Sequence, residues 1–376
     1  MEQKQNLNIA MLGHKRIPSR EGGVEIVVAE LASNMVKRGH SVTCYNRKGH
    51  HIGGAEFDTK PMKEYLGVRL KTVPTLDKKG LAAMTASCCA TIAAAFGKYD
   101  VVHFHAEGPC AMLWLAKLMG KRCIATIHGL DHQRAKWGKI ARTYIMMGEK
   151  CAARYADELI VLSNGVQDYF LQTYGRTTHF IPNGVSRPDY RAPKLIAEQF
   201  GLEKDSYILL LSRIVPEKGL RYLVDAFRNV KTDKKLVIAG GASDTDDFME
   251  ELRAAAAGDE RIIFTGFVQG PILEELYSNA YVYTLPSDLE GMPLSLLEAL
   301  SYGNCCLTSD IEECAAVMGE HGITFRKSDV QDLQDKLQML CDQPETVARY
   351  QAESADYICN RFSWEDVTDR TLELYK

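Results

Sequence analysis

Runs of five to seven mostly apolar residues, each followed by a turn and then a helix-length amphipathic stretch, recur along this chain. In the first half they are "IAMLG" (9–13), "SVTCY" (41–45), "VRLKTV" (68–73), "DVVHFHA" (100–106), "RCIATI" (122–127), "ELIVLS" (158–163) and "THFIP" (178–182). Between the first two, Val24, Val27, Val28, Leu31 and Met35 repeat at helical spacing, and Gly39 stands where a C-cap is needed. Near-continuous apolar strands that alternate with helices belong to parallel sheets covered on both faces. After the Pro- and Gly-bearing "IPNGVSRPDYRAP" (181–193) the alternation restarts, with "YILLLS" (207–212), "KLVIAGG" (235–241), "RIIFTG" (261–266), "YVYTLP" (281–286) and "NCCLTS" (304–309). The pattern predicts two Rossmann-like α/β domains with a hinge near 185–205, and 376 residues suffice for two cores. Ligands of such sheets sit beyond the carboxyl ends of the strands, and in a facing pair of domains the expected site is the cleft between them.

Charge divides along the same line. Residues 1–185 carry 25 Lys and Arg against 15 Asp and Glu, and residues 186–376 carry 20 against 34, so the halves are +10 and −14. A basic first half suits an anionic partner, a membrane surface or a phosphorylated acceptor, and is equally met by uneven surface solvation. Eleven Cys, including the adjacent pairs Cys88-Cys89 and Cys305-Cys306, fit neither a disulfide framework nor a C-x-x-C metal or redox pairing. Reduced thiols in the cytoplasm are the expectation. The start "MEQKQNLNIAML" lacks the layout of a signal peptide, and no apolar run reaches the roughly 18 residues of a membrane span. The Ala-rich "LAAMTASCCATIAAAF" (81–96) comes nearest and is expected to be a buried or interfacial helix.

Several post-strand segments carry candidate chemistry. Gly22-Gly23 opens a helix after the first strand, where backbone amides can approach a phosphate. There is no G-x-G-x-x-G, which argues against a dinucleotide dehydrogenase, and no P-loop or G-x-S-x-G. In "LSRIVPEKG", Arg213 and Lys218 are cations able to clamp a diphosphate, or else solvated loop charges. In "EGMPLSLLEAL", Pro293 suits the first turn of a helix whose apolar side is Leu294, Leu297 and Leu300, so Glu290 precedes that helix and Glu298 lies within it. The amides of Gly291, Met292 and Leu294 then suit phosphate oxygens or sugar hydroxyls, and each carboxylate can grip a pair of hydroxyls. Taken singly, Glu290 is explained as a carboxylate at a helix start and Glu298 as an exposed helix residue. His128 in "ATIHGLDHQ" falls where a pocket histidine would sit, although a lone histidine is more often structural. His103 and His105 share one strand face with no third ligand spaced for a metal. "SDTDD" (243–247) reads as a helix cap rather than a cation site, and "RAKWGKIAR" (134–142) as an interfacial contact or a solvated face.

Taken in order, "EGGVE", "TIHGLD", "IPNGV", "LSRIVPEKG", "VIAGG", "FTGFV" and above all "PSDLEGMPLSLLEALSYG" resemble the retaining glycosyltransferases of family 4. They span nearly the whole chain, and the most specific is "EGMPL" with its second Glu, which is similar to the family's E-x7-E signature. The resemblance implies the α/β GT-B fold: an acceptor domain over 1–185, a nucleotide-sugar donor domain over 186–360, and a helix over 361–376, which holds "FSWEDVTDRTLELYK" (362–376), that crosses back to the first domain. By position it implies that Arg213 and Lys218 hold the donor diphosphate, Glu298 the ribose, and Glu290 with Gly291, Met292, Pro293 and Leu294 the transferred sugar. Gly22 and Gly23 would let the first loop approach the diphosphate. His128 would contact the donor sugar, and Gly240, Gly241, Phe267 and Val268 would lie near the base.

The resemblance further implies transfer with retention from a UDP-, GDP- or dTDP-sugar, without cofactor or essential metal. "HGLDHQRAKWGK" looks like the corresponding stretch of bacterial members that build surface polysaccharides, among them rhamnosyltransferases. A glycan or lipid-linked sugar acceptor, peripheral contact of the basic half with the inner face of the plasma membrane, and no nucleic-acid partner are the accompanying expectations. The rivals are an epimerase or hydrolase on the same fold, and a carbohydrate-binding protein without turnover.

Overall fold

The computed structural model describes residues 6–51, 54, 57–58, 62–76, 78, 81–134, 137–241 and 246–376. The chain divides into two compact units, one running to Gly184 and rejoined by Trp364–Lys376, the other spanning Val185–Ser363.

The first unit is built on an eight-stranded sheet: β1 (Asn8–Leu12), β2 (Ser41–Arg47), β3 (Glu64–Tyr65), β4 (Val68–Val73), β5 (Val101–His105), β6 (Arg122–Ile127), β7 (Glu158–Val161) and β8 (His179–Phe180), in the order β3-β4-β2-β1-β5-β6-β7-β8. All neighbours are parallel except the β3–β4 edge pair. β5 is buried along its whole length, which is why its "VVHFH" shows no alternation. β3 is a two-residue edge strand, too short to leave a sequence signature, and β8 at the other edge occupies only part of the expected 178–182.

Five helices pack around this sheet or flank its strand ends: α1 (Gly23–Lys37), α2 (Leu81–Ala95), α3 (Leu113–Leu118), α4 (Lys139–Tyr155) and α5 (Asn164–Tyr174). α1 is capped by Arg38, with Gly39 one residue later than its expected place, its N–H on the Val36 carbonyl. α2 buries Ala86, Ala90 and Ala94 and leaves Ile92 exposed, and Phe96, just past its end, is exposed too. The closing helix, Trp364–Glu373, packs on α1, and Arg38 pairs with Asp369 at 2.6 Å. Beyond it Tyr375 is buried, its hydroxyl 2.6 Å from Nδ1 of His103.

The second unit carries a fully parallel six-stranded sheet, β9 (Tyr207–Leu211), β10 (Lys235–Ala239), β11 (Ile262–Gly266), β12 (Val282–Leu285), β13 (Cys305–Ser309) and β14 (Ile323–Phe325), in the order β11-β10-β9-β12-β13-β14. Its core is mostly aliphatic, from Ile208, Leu210, Leu236 and Ile238 in the sheet to Leu220, Leu223 and Val224, with Phe227, in the helix above it. β9 and β12 sit at the centre where the strand order reverses, so the loops after them open at the switch point of the sheet. All eleven cysteines are free thiols.

Candidate active site

At the carboxyl end of β9 the chain enters a loop bearing Arg213, half-buried, and then a single 3-10 turn, Pro216–Lys218. Two close approaches hold this loop. Gly240 has φ +143°, and a Cβ there would lie 1.8 Å from the Ser212 carbonyl. Gly219 has φ +68°, and its Cβ would meet the Pro286 carbonyl at 1.9 Å. Only glycine satisfies both the space and the backbone at either point. The Asp288 N–H on the Glu217 carbonyl, 2.9 Å, completes the seam between the loop after β9 and the loop after β12.

That seam brings Lys218 to Glu290, Nζ to Oε1 2.5 Å, with both side chains largely buried. Ser287 donates to the same carboxylate oxygen at 2.7 Å, and Ser287 is itself fixed by Ser309, whose Oγ donates to its carbonyl at 2.5 Å. Lys has three N–H donors, so engagement by Glu290 leaves donors for a phosphate. The arrangement is also asymmetric in risk: losing either partner strands a largely buried charge.

The helix that follows runs Leu294–Ser301. Pro293 is its N-cap, with extended φ −75°, ψ 104°, rather than a first-turn residue as expected. Its carbonyl accepts from Leu296 and Leu297, which leaves the first amides of the helix, Leu294 and Ser295, to other partners. Gly291, Met292, Pro293 and Leu294 are all buried. Glu298, half-buried, accepts from the Tyr277 hydroxyl at 3.3 Å, and Tyr277 stacks on Tyr302. Gly241 accepts from Ile214, and a Cβ on Gly241 would lie 3.6 Å from that of Phe267, so Gly241, Phe267 and Val268 gather at the ends of β10 and β11 beside the Arg213 loop.

The first unit places a different chemistry at its strand ends. His128, just past β6, meets His105 at the end of β5, Nε2 to Nδ1 3.1 Å, and His105 stacks on His103 with ring centroids 4.2 Å apart. His103 is held between Tyr375 and the Thr126 hydroxyl, the latter at 2.8 Å. His14, after β1, bonds Asn46 at 3.0 Å. Burial pushes His103 down to about 3 and both His14 and His128 to about 4, and it holds His105 well below the usual imidazole range. These four rings are therefore neutral near pH 7, able to donate at one nitrogen and accept at the other.

Gly22 and Gly23 stand at the start of α1 as expected, and a local cause for Gly22 is visible. A Cβ on it would lie 2.8 Å from Oε2 of Glu25, whose other oxygen accepts from the Lys15 N–H at 2.7 Å. The side chains that sequence reasoning passes over are Ser287, Tyr277, Thr126 and the acids Glu107 and Glu149. Ser287 stands inside "PSDLEGMPLSLLEALSYG", whereas Tyr277 and Glu149 lie in helices with nothing local to mark them. Residues 243–245 of "SDTDD" and 135–136 of the basic stretch lie outside the described residues.

A family model described as glycosyl transferases group 1 matches residues 205–343, and one described as Glycosyltransferase Family 4 matches residues 21–187. The chain belongs to these glycosyltransferases. Alpha-maltose-1-phosphate synthase of Mycobacterium tuberculosis is 26% identical, over 98% of this chain and 99% of that protein. The GDP-mannose-dependent alpha-(1-6)-phosphatidylinositol monomannoside mannosyltransferase of Mycolicibacterium smegmatis is 27% identical over 76% of each. Among solved structures, HepE of Anabaena in complex with UDP and glucose superposes with a TM-score of 0.80 at 17% identity, covering 98% of this chain and 99% of that one. The fold is GT-B, and the protein is an enzyme that transfers a sugar from a nucleotide-sugar.

Proposed function

We propose that this glycosyltransferase retains configuration at the anomeric carbon and moves a hexose or deoxyhexose onto a lipid-linked sugar in bacterial surface-polysaccharide synthesis. The observation that carries the proposal is the largely buried Lys218–Glu290 pair seated on Ser287, with Glu298 in the helix that follows. Arg213 and Lys218 hold the diphosphate, Glu298 the ribose hydroxyls, and Glu290 with the start of the Leu294–Ser301 helix the hydroxyls of the transferred sugar. His128 contacts that sugar as a neutral imidazole, and Gly23 admits the α1 end to the phosphates. Gly240, Gly241, Phe267 and Val268 border the base.

An ion-paired carboxylate is a poor nucleophile, which supports a path without a glycosyl-enzyme. The bond from the anomeric carbon to the diphosphate breaks through a transition state with oxocarbenium character. Arg213, Lys218 and the helix amides stabilise the charge growing on the departing diphosphate. The acceptor oxygen forms the new glycosidic bond on the same face, and its proton passes to the leaving phosphate. Fixed cations take the place that a divalent ion would otherwise fill, so we expect turnover to survive chelation.

A lipid-linked acceptor is supported by α4. Lys139, Ile140, Arg142, Thr143, Met146, Met147 and Lys150 are all exposed and share one helical face, with Ile140 89% exposed. Cations interleaved with exposed apolar side chains suit an anionic bilayer surface. No helix among the described residues is long and apolar enough to cross a membrane. Ile140→Asp with Met147→Asp is expected to abolish co-sedimentation with anionic vesicles while leaving turnover of a water-soluble acceptor intact.

The test of the central proposal is incubation with UDP-, GDP- and dTDP-sugars plus lipid-linked acceptors. Nucleoside diphosphate release is followed by mass spectrometry and the anomeric configuration of the product by NMR, with Glu298→Ala alongside. Donor-specific release and a retained anomer are expected. An inverted product, or nucleotide-sugar turnover that yields only an epimer or free sugar, would overturn it.

A further inference from the structure

Behind the His128 loop lies a buried acidic pair that the reaction does not use. Glu107 follows β5 and Glu149 lies in α4, and both are fully buried. The helix comes so close to the chain at Glu107 that a Cβ on Gly148 would stand 2.1 Å from the Glu107 carbonyl. Ala106, next to Glu107, is held at φ +72°, a conformation costly for a residue with a Cβ and kept only where the surroundings fix it. Oε2 of Glu107 accepts from the Asp131 N–H at 2.8 Å, and Oε2 of Glu149 meets Nδ1 of His132 at 3.0 Å. Asp131 and His132 are the third and fourth residues after His128.

The other oxygen of Glu149 accepts from Tyr169 at 2.8 Å and Tyr174 at 2.6 Å, both on α5. Among the described residues Oε1 of Glu107 has no donor within hydrogen-bond distance, Nδ1 of His132 standing 3.9 Å away, which for a buried carboxylate is costly. A proton on Glu107 removes the cost, because the carboxyl then donates to Glu149 instead of facing it as a second acceptor. Burial first, then Asp131, then Glu149 push the Glu107 carboxyl up to about 10, so that proton is present near pH 7. Among the described residues, the other titratable or charged groups around the pair are Asp131 with its partner Arg134, His132, Tyr169, Tyr174 and Cys110.

We propose that Glu107 and Glu149 share one proton and act as positioning residues that lock the loop carrying His128. The proposal rests on His128 contacting the donor sugar. The lock ties four segments together: the end of β5, the loop after β6, α4 and α5. Its cost is stability: Glu107 ionises in the unfolded chain above about pH 4.5 but stays neutral in the fold up to about 10, so stability from this group declines across that window as pH rises. Glu107→Gln retains an acceptor for the Asp131 N–H and a donor toward Glu149 without the titration. The Gln variant therefore melts higher than the native protein at pH 7.

The experiment compares native protein, Glu107→Ala, Glu107→Gln and the milder Tyr174→Phe by amide exchange of residues 128–134, by donor turnover, and by metal content. Glu107→Ala should exchange that segment about tenfold faster, as expected for loss of one buried hydrogen bond, and should lower kcat more than KM. Glu107→Gln should match the native protein in exchange and kcat. Unchanged exchange in Glu107→Ala, or Gln no better than Ala, overturns the lock. Glu107, His132 and Glu149 also bring one ligand atom each within 4.8 Å of one another. A stoichiometric divalent ion lost in Glu107→Gln would therefore overturn the shared proton in favour of a metal. Faster exchange in Ala with turnover unchanged would uphold the lock and overturn the role of His128.

Discussion

The two units use parallel sheets alike and arm their strand ends oppositely. In the second unit the loops after β9 and β12 meet in an ion pair, Lys218 with Glu290, steadied by a serine. In the first, the ends of β5 and β6 meet in neutral histidines, fully buried His105 with half-buried His128, and desolvation keeps both uncharged near neutral pH. A nucleotide-sugar has the same polarity: a charged diphosphate and an uncharged pyranose. Fixed charge is useful where charge grows in the transition state, and it is costly beside a neutral sugar ring that must be desolvated.

The largest expected effect is at the ion pair. On the proposed roles, Lys218→Ala removes a diphosphate donor and strands Glu290, and kcat/KM should fall about a hundred- to a thousandfold, the range seen when one preorganised charge-stabilising group is lost. If Glu290→Gln in the same background restored activity, the lysine would be acting on Glu290 and not on phosphate. Next comes His128→Ala, expected to lower kcat about tenfold to a hundredfold with little change in donor affinity, since its proposed part is on the reacting sugar. His128→Asn, which keeps a neutral donor and acceptor, should recover part of the loss. A full loss in both would point to a charged histidine, against the burial that holds it down to about 4. Glu298→Ala is smaller, about tenfold in donor KM, because the proposed grip of one half-buried carboxylate on ribose hydroxyls contributes a charge-assisted bond or two. With a dTDP donor, which lacks the 2′-hydroxyl, the loss should shrink.

The gentlest effect is on stability, and it sharpens the contrast. The histidines of the first unit have lowered values in the fold, so the unfolded chain takes up protons below about 6.5 while the fold does not. Stability from His14, His103, His105 and His128 is therefore full above about 6.5 and erodes as pH falls toward 4. A melting curve followed from about pH 8 to about pH 4.5 should drop, and His14→Gln with His103→Gln should flatten it. An unchanged slope in that double variant would mean that other groups set the acid limb.

What the sequence makes legible depends on how local each cause is. Apolar runs such as "VVHFH" and "YILLL" are buried strands because both sheet faces are covered, and nothing distant is needed to see it. The edge strands at 64–65 and 323–325 escape notice, since two or three residues carry no period. Arg213, Lys218, Glu290 and Glu298 are visible because the loops and helix starts that present them are written in Gly and Pro at fixed spacings. That Lys218 binds Glu290, 72 positions on, is not visible, because it is made by the approach of Gly219 to Pro286. His103 and His105 show their shared face in the sequence, but their meaning depends on Tyr375 and His128, residues of other segments. Glu107 and Glu149 look like ordinary acids until the fold buries them together.

The proposed division of labour between the two units is tested most directly by isothermal titration of the nucleoside diphosphate alone, whichever of UDP, GDP or dTDP the native protein binds. Lys218→Ala should weaken that affinity at least about tenfold, the scale of one charge-assisted contact, and His128→Ala should leave it within about twofold. The reverse pattern, with the histidine variant losing the nucleotide and the lysine variant keeping it, would contradict the account.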